Sequence, residues 1–462
     1  MTSALPSLID SHAHLDSGQY DNDRDEIINR AKMNSISHIL TIGCDLASSE
    51  KNVAIAQQYE QIYAAVGVHP HDALEINAEN LERLRFLLSQ AKVVALGEIG
   101  LDYYRDRSPR DVQRNAFRAQ IQLAKAVKKP IIVHDRDAHE DVMQILEEEN
   151  AAEVGGVLHC FSGDLAMAQR CLDLGFYLSF PGPITYPKNE HTRTIVATIP
   201  IERLLVETDC PYLAPQKYRG KRNEPAYVRY TAEKIAEIKG LSIEDVARIT
   251  SRNCYNLFTI GTPEQGNKIA YKIRNSLYLN ITNRCTNSCI FCAKFNDFVV
   301  KGHELKLAHE PSATEVKQAI GNPCEYDEVV FCGYGEPLLR LDLVKEIASW
   351  LKTHKVPVRI NTDGQANLVY GRNILPELEG LIDSISVSLN AATLADYQRL
   401  CHSEFGEKSY PAVKDFIQQA SQYIPHVTAT AVSYPNVDIA ACEQVARQLG
   451  VRFRARKYHE VG

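Results

Sequence analysis

The sequence predicts an α/β chain made of two units in series, a (β/α)8 TIM barrel followed by a partial (β/α)6 barrel open on one side. Three observations carry this expectation. Short apolar runs alternate with amphipathic stretches over about the first 250 residues, the length such a barrel requires. A segment rich in Gly, Pro and polar residues, TIGTPEQGNKIAYKIRN (259–275), then breaks the pattern. After it the alternation starts again and runs to the end of the sequence.

The strands of the first unit are expected at SLID (7–10), HILTIG (38–43), IYAAVGV (62–68), VVALGEI (93–99), PIIVH (130–134), GVLHCF (156–161), FYLSF (176–180) and RLLVETD (203–209). Their continuous apolar character suits strands covered on both faces. Between them RDEIINRAKMN, AFRAQIQLAKAVKK and AMAQRCLDLG carry helical spacing, and YVRYTAEKIAEIKG with SIEDVARITSRNCYNLF completes the outer ring. In the second unit the strands are SLYLNI (276–281), EVVFCG (328–333), VPVRIN (356–361), SISVSLN (384–390), HVTATAV (426–432) and VRFRA (451–455). The expected division is therefore a first barrel over 1–260, a linker over 261–275 and a second domain over 276–462.

Composition narrows the classes. Hydrophobic residues make up 45% and charged residues 24%, as in soluble globular proteins. No run of 18 apolar residues appears, so no membrane association is expected, and the N-terminus MTSALPSLIDSHAHLD does not read as a secretion signal. A net charge of −7 argues against a broad nucleic-acid-coating surface but leaves room for a local basic cleft. Twelve cysteines without a leader read as reduced thiols, and the expected location is cytoplasmic.

Metal-capable side chains fall at the expected C-terminal ends of the first unit's strands, where a (β/α)8 barrel gathers its catalytic groups. His12 and His14 follow the first strand, His69 and His71 the third, Glu98 the fourth, His134 the fifth, His159 the sixth, and Glu207 and Asp209 the eighth. Such a set suits two divalent ions, Mg, Mn or Zn, that activate a water and polarise a phosphoryl or carbonyl oxygen. Glu98 is placed to bridge the ions and Asp209 to orient the water as a base, which makes both catalytic candidates; His71 and His139 also read as ordinary structural histidines. The motifs DSHAHLD (10–16), GVHPH (67–71), GEIGLDYY (97–104), PIIVH (130–134), LHCFSG (158–163) and LVETDCPYLAP (205–215) resemble the TatD family of metal-dependent deoxyribonucleases. The resemblance implies His12, His14, Glu98, His134, His159 and Asp209 as metal ligands and DNA, as a single strand or a strand end, as substrate. Independently, QKYRGKRNEP (216–225) puts Arg219, Lys221 and Arg222 near the expected mouth, where they would meet phosphates.

The second unit opens on NRCTNSCIFCAKF, with Cys285, Cys289 and Cys292 in a polar loop after its first strand. No second CxxC follows, which disfavours a structural zinc site; three close thiolates suit a [4Fe–4S] cluster with one iron free for another ligand. With Phe291 before the last cysteine the pattern resembles the radical S-adenosylmethionine (radical SAM) superfamily, in a form found beside TatD proteins. The resemblance implies S-adenosylmethionine on the free iron, cleaved to a 5′-deoxyadenosyl radical, and an electron donor such as flavodoxin or ferredoxin. FCGYGEP (331–337) resembles the motif that meets the methionine amino group, with Gly333 and Gly335 permitting close approach and Glu336 accepting from the ammonium. Asn361, Ser388 and Asn390 at later strand ends match positions that touch ribose or carboxylate. The whole reads as a bifunctional chain, a deoxyribonuclease joined to a radical enzyme of unidentified substrate. The competing reading is an esterase on aminoacyl-RNA with a C-terminal iron–sulfur module that senses redox state.

Overall fold

The computed structural model describes residues 7–262, 266–295 and 298–458, and every strand expected from the sequence is present in it, with ends moved by a few residues. The chain divides between residues 263 and 264 into two compact units.

The first unit contains β1 (Leu8–Ala13), β2 (Ile36–Ile42), β3 (Ile62–Val66), β4 (Val93–Asp102), β5 (Ile131–Arg136), β6 (Gly156–Leu158), β7 (Tyr177–Phe180) and β8 (Leu204–Val206), paired in parallel in chain order. Strand periodicity sends alternate residues to opposite faces. Leu8, Ile39, Val66, Leu96, Val133, Leu158, Leu178 and Leu204 therefore join the large core shared with the helices. Ile9, Leu40, Ala65, Ala95, Ile132, Val157, Tyr177 and Leu205, one from each strand, pack together with Cys254 and Phe258 of the helix Ile243–Phe258. β8 is only three residues long, and β1 meets it through a single parallel bridge, Ala13 to Cys210, so the barrel is nearly closed.

The second unit contains β9 (Ala270–Ile273), β10 (Ser276–Leu279), β11 (Val299–Val300), β12 (His303–Glu304), β13 (Glu328–Phe331), β14 (Val358–Thr362), β15 (Ser384–Ser388), β16 (His426–Ser433) and β17 (Arg452–Lys457). Its main sheet runs β17-β16-β15-β14-β13-β10-β9, parallel except for β9, which lies antiparallel on β10. Part of the segment 261–275, expected to be a linker, thus belongs to this sheet. The alternation Tyr271 and Ile273 buried, Lys272 exposed, pairs with Ser276–Leu279 across a tight turn at Arg274, whose φ is 53°. β11 and β12 form a separate two-residue hairpin pair. Among the described residues no helix is long and apolar enough to cross a membrane.

Candidate functional site

The metal-capable residues of the first unit converge at the C-terminal strand ends, and the sheet itself holds them there. Backbone N–H groups of three of these residues donate to the adjacent strand or the residues just past it, Asp209 to the His12 carbonyl at 2.9 Å, His159 to Val133 at 3.1 Å and His69 to Cys44 at 2.8 Å, while Glu98 donates beyond β3 to Gly43 just past the end of β2 at 3.0 Å. The nearly closed seam between β1 and β8 is what sets His14 beside Asp209, because the His14 N–H donates to Cys210 at 2.8 Å. Gly100 lets β4 press against β5. It sits at φ 142°, and a Cβ there would fall 2.0 Å from the His134 carbonyl oxygen.

Glu98 lies at the centre, 3% exposed. Its Oε2 faces His12 Nε2 at 3.4 Å and His14 Nε2 at 3.8 Å. Its Oε1 faces His134 Nδ1 at 2.6 Å, His159 Nε2 at 2.8 Å and His69 Nε2 at 3.5 Å. Asp209 Oδ1 closes the first group, 3.2 Å from His14 Nε2 and 3.7 Å from His12 Nε2. All six ligand candidates are thus brought together, with Glu98 shared between two clusters, His12–His14–Asp209 on one side and His134–His159 on the other. The ring nitrogens fit resident cations, since both nitrogens of His12, Nε2 of His134 and Nδ1 of His159 are buried without a hydrogen-bond partner.

The electrostatics favour positive charge. Burial opposes ionisation of Glu98, yet the imidazoles of His159 and His69 hold its carboxyl well below the usual carboxylate range. Burial also opposes a charge on His134, but Asp102 and Glu98 outweigh it and raise the imidazole to about 9. Farther from the acids, His12 is lowered to about 4 by burial and by His159.

Several residues outside the six ligand candidates complete this site; of these the sequence marks His69, His71 and Glu207 as metal-capable but not Asp102 or Cys44. His69, in the His-Pro-His motif, reaches Glu98 as closely as His12 does. Asp102 Oδ2 accepts from His71 Nε2 at 2.9 Å and lies 3.4 Å from His134 Nε2, so His71 acts at one remove from the ligands. Glu207 is fully buried, accepts the Cys160 N–H at 2.7 Å and backs His159 from its Nδ1 side at 3.9 Å. Cys44 stands 3.7 Å from His14 Nδ1. His139, by contrast, pairs with Asp135 at the end of β5, four residues earlier. The helix Arg110–Val127 steadies the site: Gln113 accepts the Asp102 N–H at 2.9 Å and Gln120 accepts the Val68 N–H at 2.8 Å.

The three basic residues expected at the mouth divide. Arg222 is engaged inside the fold, its Nη1 donating to Asp23 at 2.9 Å, because the helix Arg24–Met33 brings that acid against the loop. Arg219 is exposed over the Tyr186 ring at 4.5 Å, and Lys221 is exposed. Tyr212 is 56% exposed with its ring 6.2 Å from that of His14.

In the second unit Cys285, Cys289 and Cys292 line one cavity of about 290 Å³ together with Phe291, Gly333, Gly335, Glu336, Asn361, Ser388 and Asn390. None of the three cysteines is in a disulfide. The loop that carries them is fastened to the helix Leu394–Cys401: Ser288 N–H donates to the Cys401 carbonyl at 2.9 Å and Ile290 N–H to Leu400 at 3.0 Å. Asn287 donates to the buried Tyr397 hydroxyl at 3.2 Å and accepts from Gln365 at 2.8 Å. Burial pushes the Cys285 thiol well up, and the nearby Asp363 carboxylate, 3.9 Å from its Sγ, adds to this. These three thiols and the unpartnered, buried Asn390 Oδ1 fit a cluster and a polar ligand beside it.

Two details sharpen the glycine-rich motif. Gly335 and Gly333 make room for their own chain: a Cβ on Gly335 would lie 2.2 Å from the Thr282 carbonyl oxygen, and one on Gly333 2.1 Å from Asn280 Oδ1. Glu336 is buried with its side chain accepting from Leu338 N–H at 2.9 Å, Thr362 Oγ1 at 2.8 Å and Asp363 N–H at 2.6 Å. Burial and the neighbouring Asp363 push its carboxyl well above the usual range. Asn361 Oδ1 likewise accepts from Arg359 at 2.9 Å.

Comparison with known proteins finds relatives for both units. Residues 9–259 match the family model described as TatD related DNase, and residues 279–449 match that of the radical SAM superfamily. An uncharacterized metal-dependent hydrolase of Bacillus subtilis, YabD, is 49% identical over 253 residues, covering 55% of this chain and 99% of its own length. A protein of Cronobacter sakazakii named 3′-5′ ssDNA/RNA exonuclease TatD is 37% identical, covering 54% of this chain and 97% of its own. The crystal structure of YjjV, a TatD homologue from Escherichia coli, superposes with a TM-score of 0.53 at 31% identity, covering 55% of this chain and 98% of that one. With residues 9–259 matched by the family model, the chain belongs to the TatD-related DNase family and carries a radical SAM domain in its second half.

Proposed function

We propose that the first unit hydrolyses phosphodiester bonds at the end of a single-stranded DNA, and that the second is a radical SAM enzyme. The observation that carries the first part is the position of Glu98, one oxygen toward each histidine cluster. His12, His14, Asp209 and Glu98 would hold one divalent ion, and Glu98, His134 and His159 the other, with His69 beside the second. When bound, such a pair polarises a phosphoryl oxygen and makes water a nucleophile near neutral pH. Asp209 stays ionised despite burial because His14 sits against it, so it can accept the proton that the attacking water gives up. Arg219, Lys221 and the exposed ring of Tyr212 supply phosphate contacts and a stacking face, the two elements that single strands use. The Cronobacter relative's name supports this substrate class. The test is release of nucleotides from 5′-labelled single-stranded DNA with Mg²⁺, Mn²⁺ or Zn²⁺ added to metal-depleted protein. Metal-dependent cleavage that Asp209→Ala abolishes is expected; cleavage of no strand under any metal would sink the reading.

For the second part, Cys285, Cys289 and Cys292 would hold a [4Fe–4S] cluster and the adjoining cavity S-adenosylmethionine, which together supply one-electron cleavage of the sulfonium. The chain's own contribution is to fix the loop through Asn287 and Tyr397 and to present Asn390 to the ligand. Anaerobically reconstituted, reduced protein is expected to release 5′-deoxyadenosine and methionine. An intact cluster that yields neither would leave the second unit a redox sensor instead.

A further inference from the structure

The cavity beside the three cysteines is also lined by Arg456, Lys457 and Tyr458 at the end of β17. Arg456 stands out for what it lacks. Its Nε is buried without a hydrogen-bond partner, and among the described residues no ion pair or side-chain hydrogen bond engages its guanidinium. Other arginines of the second unit do find partners: Arg359 lies across Glu328 with contacts of 2.8 and 3.1 Å, and Arg340 donates to the Ile281 and Pro311 carbonyls at 3.1 and 2.7 Å. The acids of this cavity do not serve Arg456. Glu336 takes three donors of its own, and Asp363 accepts from Thr286 Oγ1 at 2.5 Å and from the Gln365 N–H at 3.0 Å. Arginine does not neutralise itself when buried; it keeps its charge and seeks a planar anion that its fork can meet with two bonds. Close by, the walls are aromatic. Phe291 and Tyr458 line the cavity, and each packs on Tyr434, at 5.8 Å and edge to face at 4.8 Å.

We infer that Arg456 is an anion-binding residue of this cavity, and that the molecule it receives carries a carboxylate or a phosphate. Two sources fit that chemistry: the methionine carboxylate of S-adenosylmethionine, or an acidic group on the second molecule that the radical attacks. In the second case the substrate class of the second unit is a small organic acid or phosphate ester rather than a neutral compound. The inference deepens the radical SAM reading and rests on it only for what stands beside the anion.

The experiment uses full-length protein, reconstituted anaerobically, with iron content and cluster absorbance matched between wild type, Arg456→Gln and Arg456→Lys. Equilibrium binding is measured for S-adenosylmethionine, for its decarboxylated form, and for inorganic pyrophosphate added to protein already saturated with S-adenosylmethionine. If the methionine carboxylate is the partner, Arg456→Gln weakens S-adenosylmethionine about tenfold or more, leaves the decarboxylated form unchanged, and Arg456→Lys recovers part of the loss. If a second molecule is the partner, both sulfonium ligands bind Arg456→Gln normally and pyrophosphate binding is lost. A variant that binds all three probes as wild type does, or shifts only the midpoint potential of the cluster, overturns the inference and makes Arg456 a countercharge to the cluster. Should wild type bind no S-adenosylmethionine with its cluster intact, the radical SAM reading falls, and the pyrophosphate titration still decides Arg456.

Discussion

Replacing Glu98 with glutamine keeps the side chain's shape and removes the negative charge that faces five imidazoles. Both proposed ion positions share this carboxylate, so Glu98→Gln should lower metal content at both and reduce cleavage by at least about 100-fold, beyond the range usual for outer-shell partners. Asp102 offers the contrast. It touches His71 and His134 and belongs to neither ligand cluster, so Asp102→Asn should weaken metal affinity by roughly 10–100-fold while saturating metal restores most of the turnover. Metal titration followed by mass-spectrometric metal counting separates the two outcomes. A loss that excess metal cannot repair in Asp102→Asn would make Asp102 a ligand itself. His139→Gln should change neither quantity, because its partner is Asp135 and its side chain is 39% exposed.

At the scale of elements, the cysteine loop depends on close backbone approach as much as on its thiols. Gly335→Ala would put a methyl group 2.2 Å from the Thr282 carbonyl and 2.6 Å from that of Arg284, the residue before Cys285. Backbone cannot move aside there without shifting the loop, so the variant should lose about 1–3 kcal/mol of stability and incorporate less iron. Denaturant unfolding and iron assay check this, and full cluster loading with wild-type stability would refute it. The same region shows what sequence can carry. Apolar runs that alternate with amphipathic helices revealed the strands of both units, and ligand types at strand ends revealed most of the metal site. The hairpin of β9 and β10 stayed hidden because Gly266 and Asn267 gave its approach the look of a linker, although Tyr271 and Ile273 alternate as a strand should. His69 was visible as a metal-capable residue at a strand end but was left out of the ligand set, since only the pairing of β3 with β4 brings it to Glu98. Arg456 was invisible for another reason: in VRFRARK it reads as one more charge on an edge strand, and only an unpartnered nitrogen in the wall of the cysteine-lined cavity sets it apart.

For the molecule as a whole, each unit has its own buried core. One gathers Leu8 through Ile249 of the barrel and its helices; the other gathers Leu277 through Ala446. Among the described residues, those that could hold a metal lie in the first unit and those that line the cysteine-bearing cavity lie in the second. The two chemistries should therefore be separable by mutation in the intact chain. Asp209→Ala should abolish metal-dependent cleavage and leave cluster absorbance and 5′-deoxyadenosine release unchanged. Cys285→Ser with Cys289→Ser and Cys292→Ser should abolish the cluster and its product and leave cleavage of labelled DNA within about twofold, as expected for sites that share no residue. Measuring both activities on both variants makes the comparison complete. Cleavage that falls together with the cluster, in protein whose first unit still binds metal, would mean that the radical unit controls the hydrolase. The shared chain would then be a regulatory link between two enzymes that each hold a complete set of their own ligands.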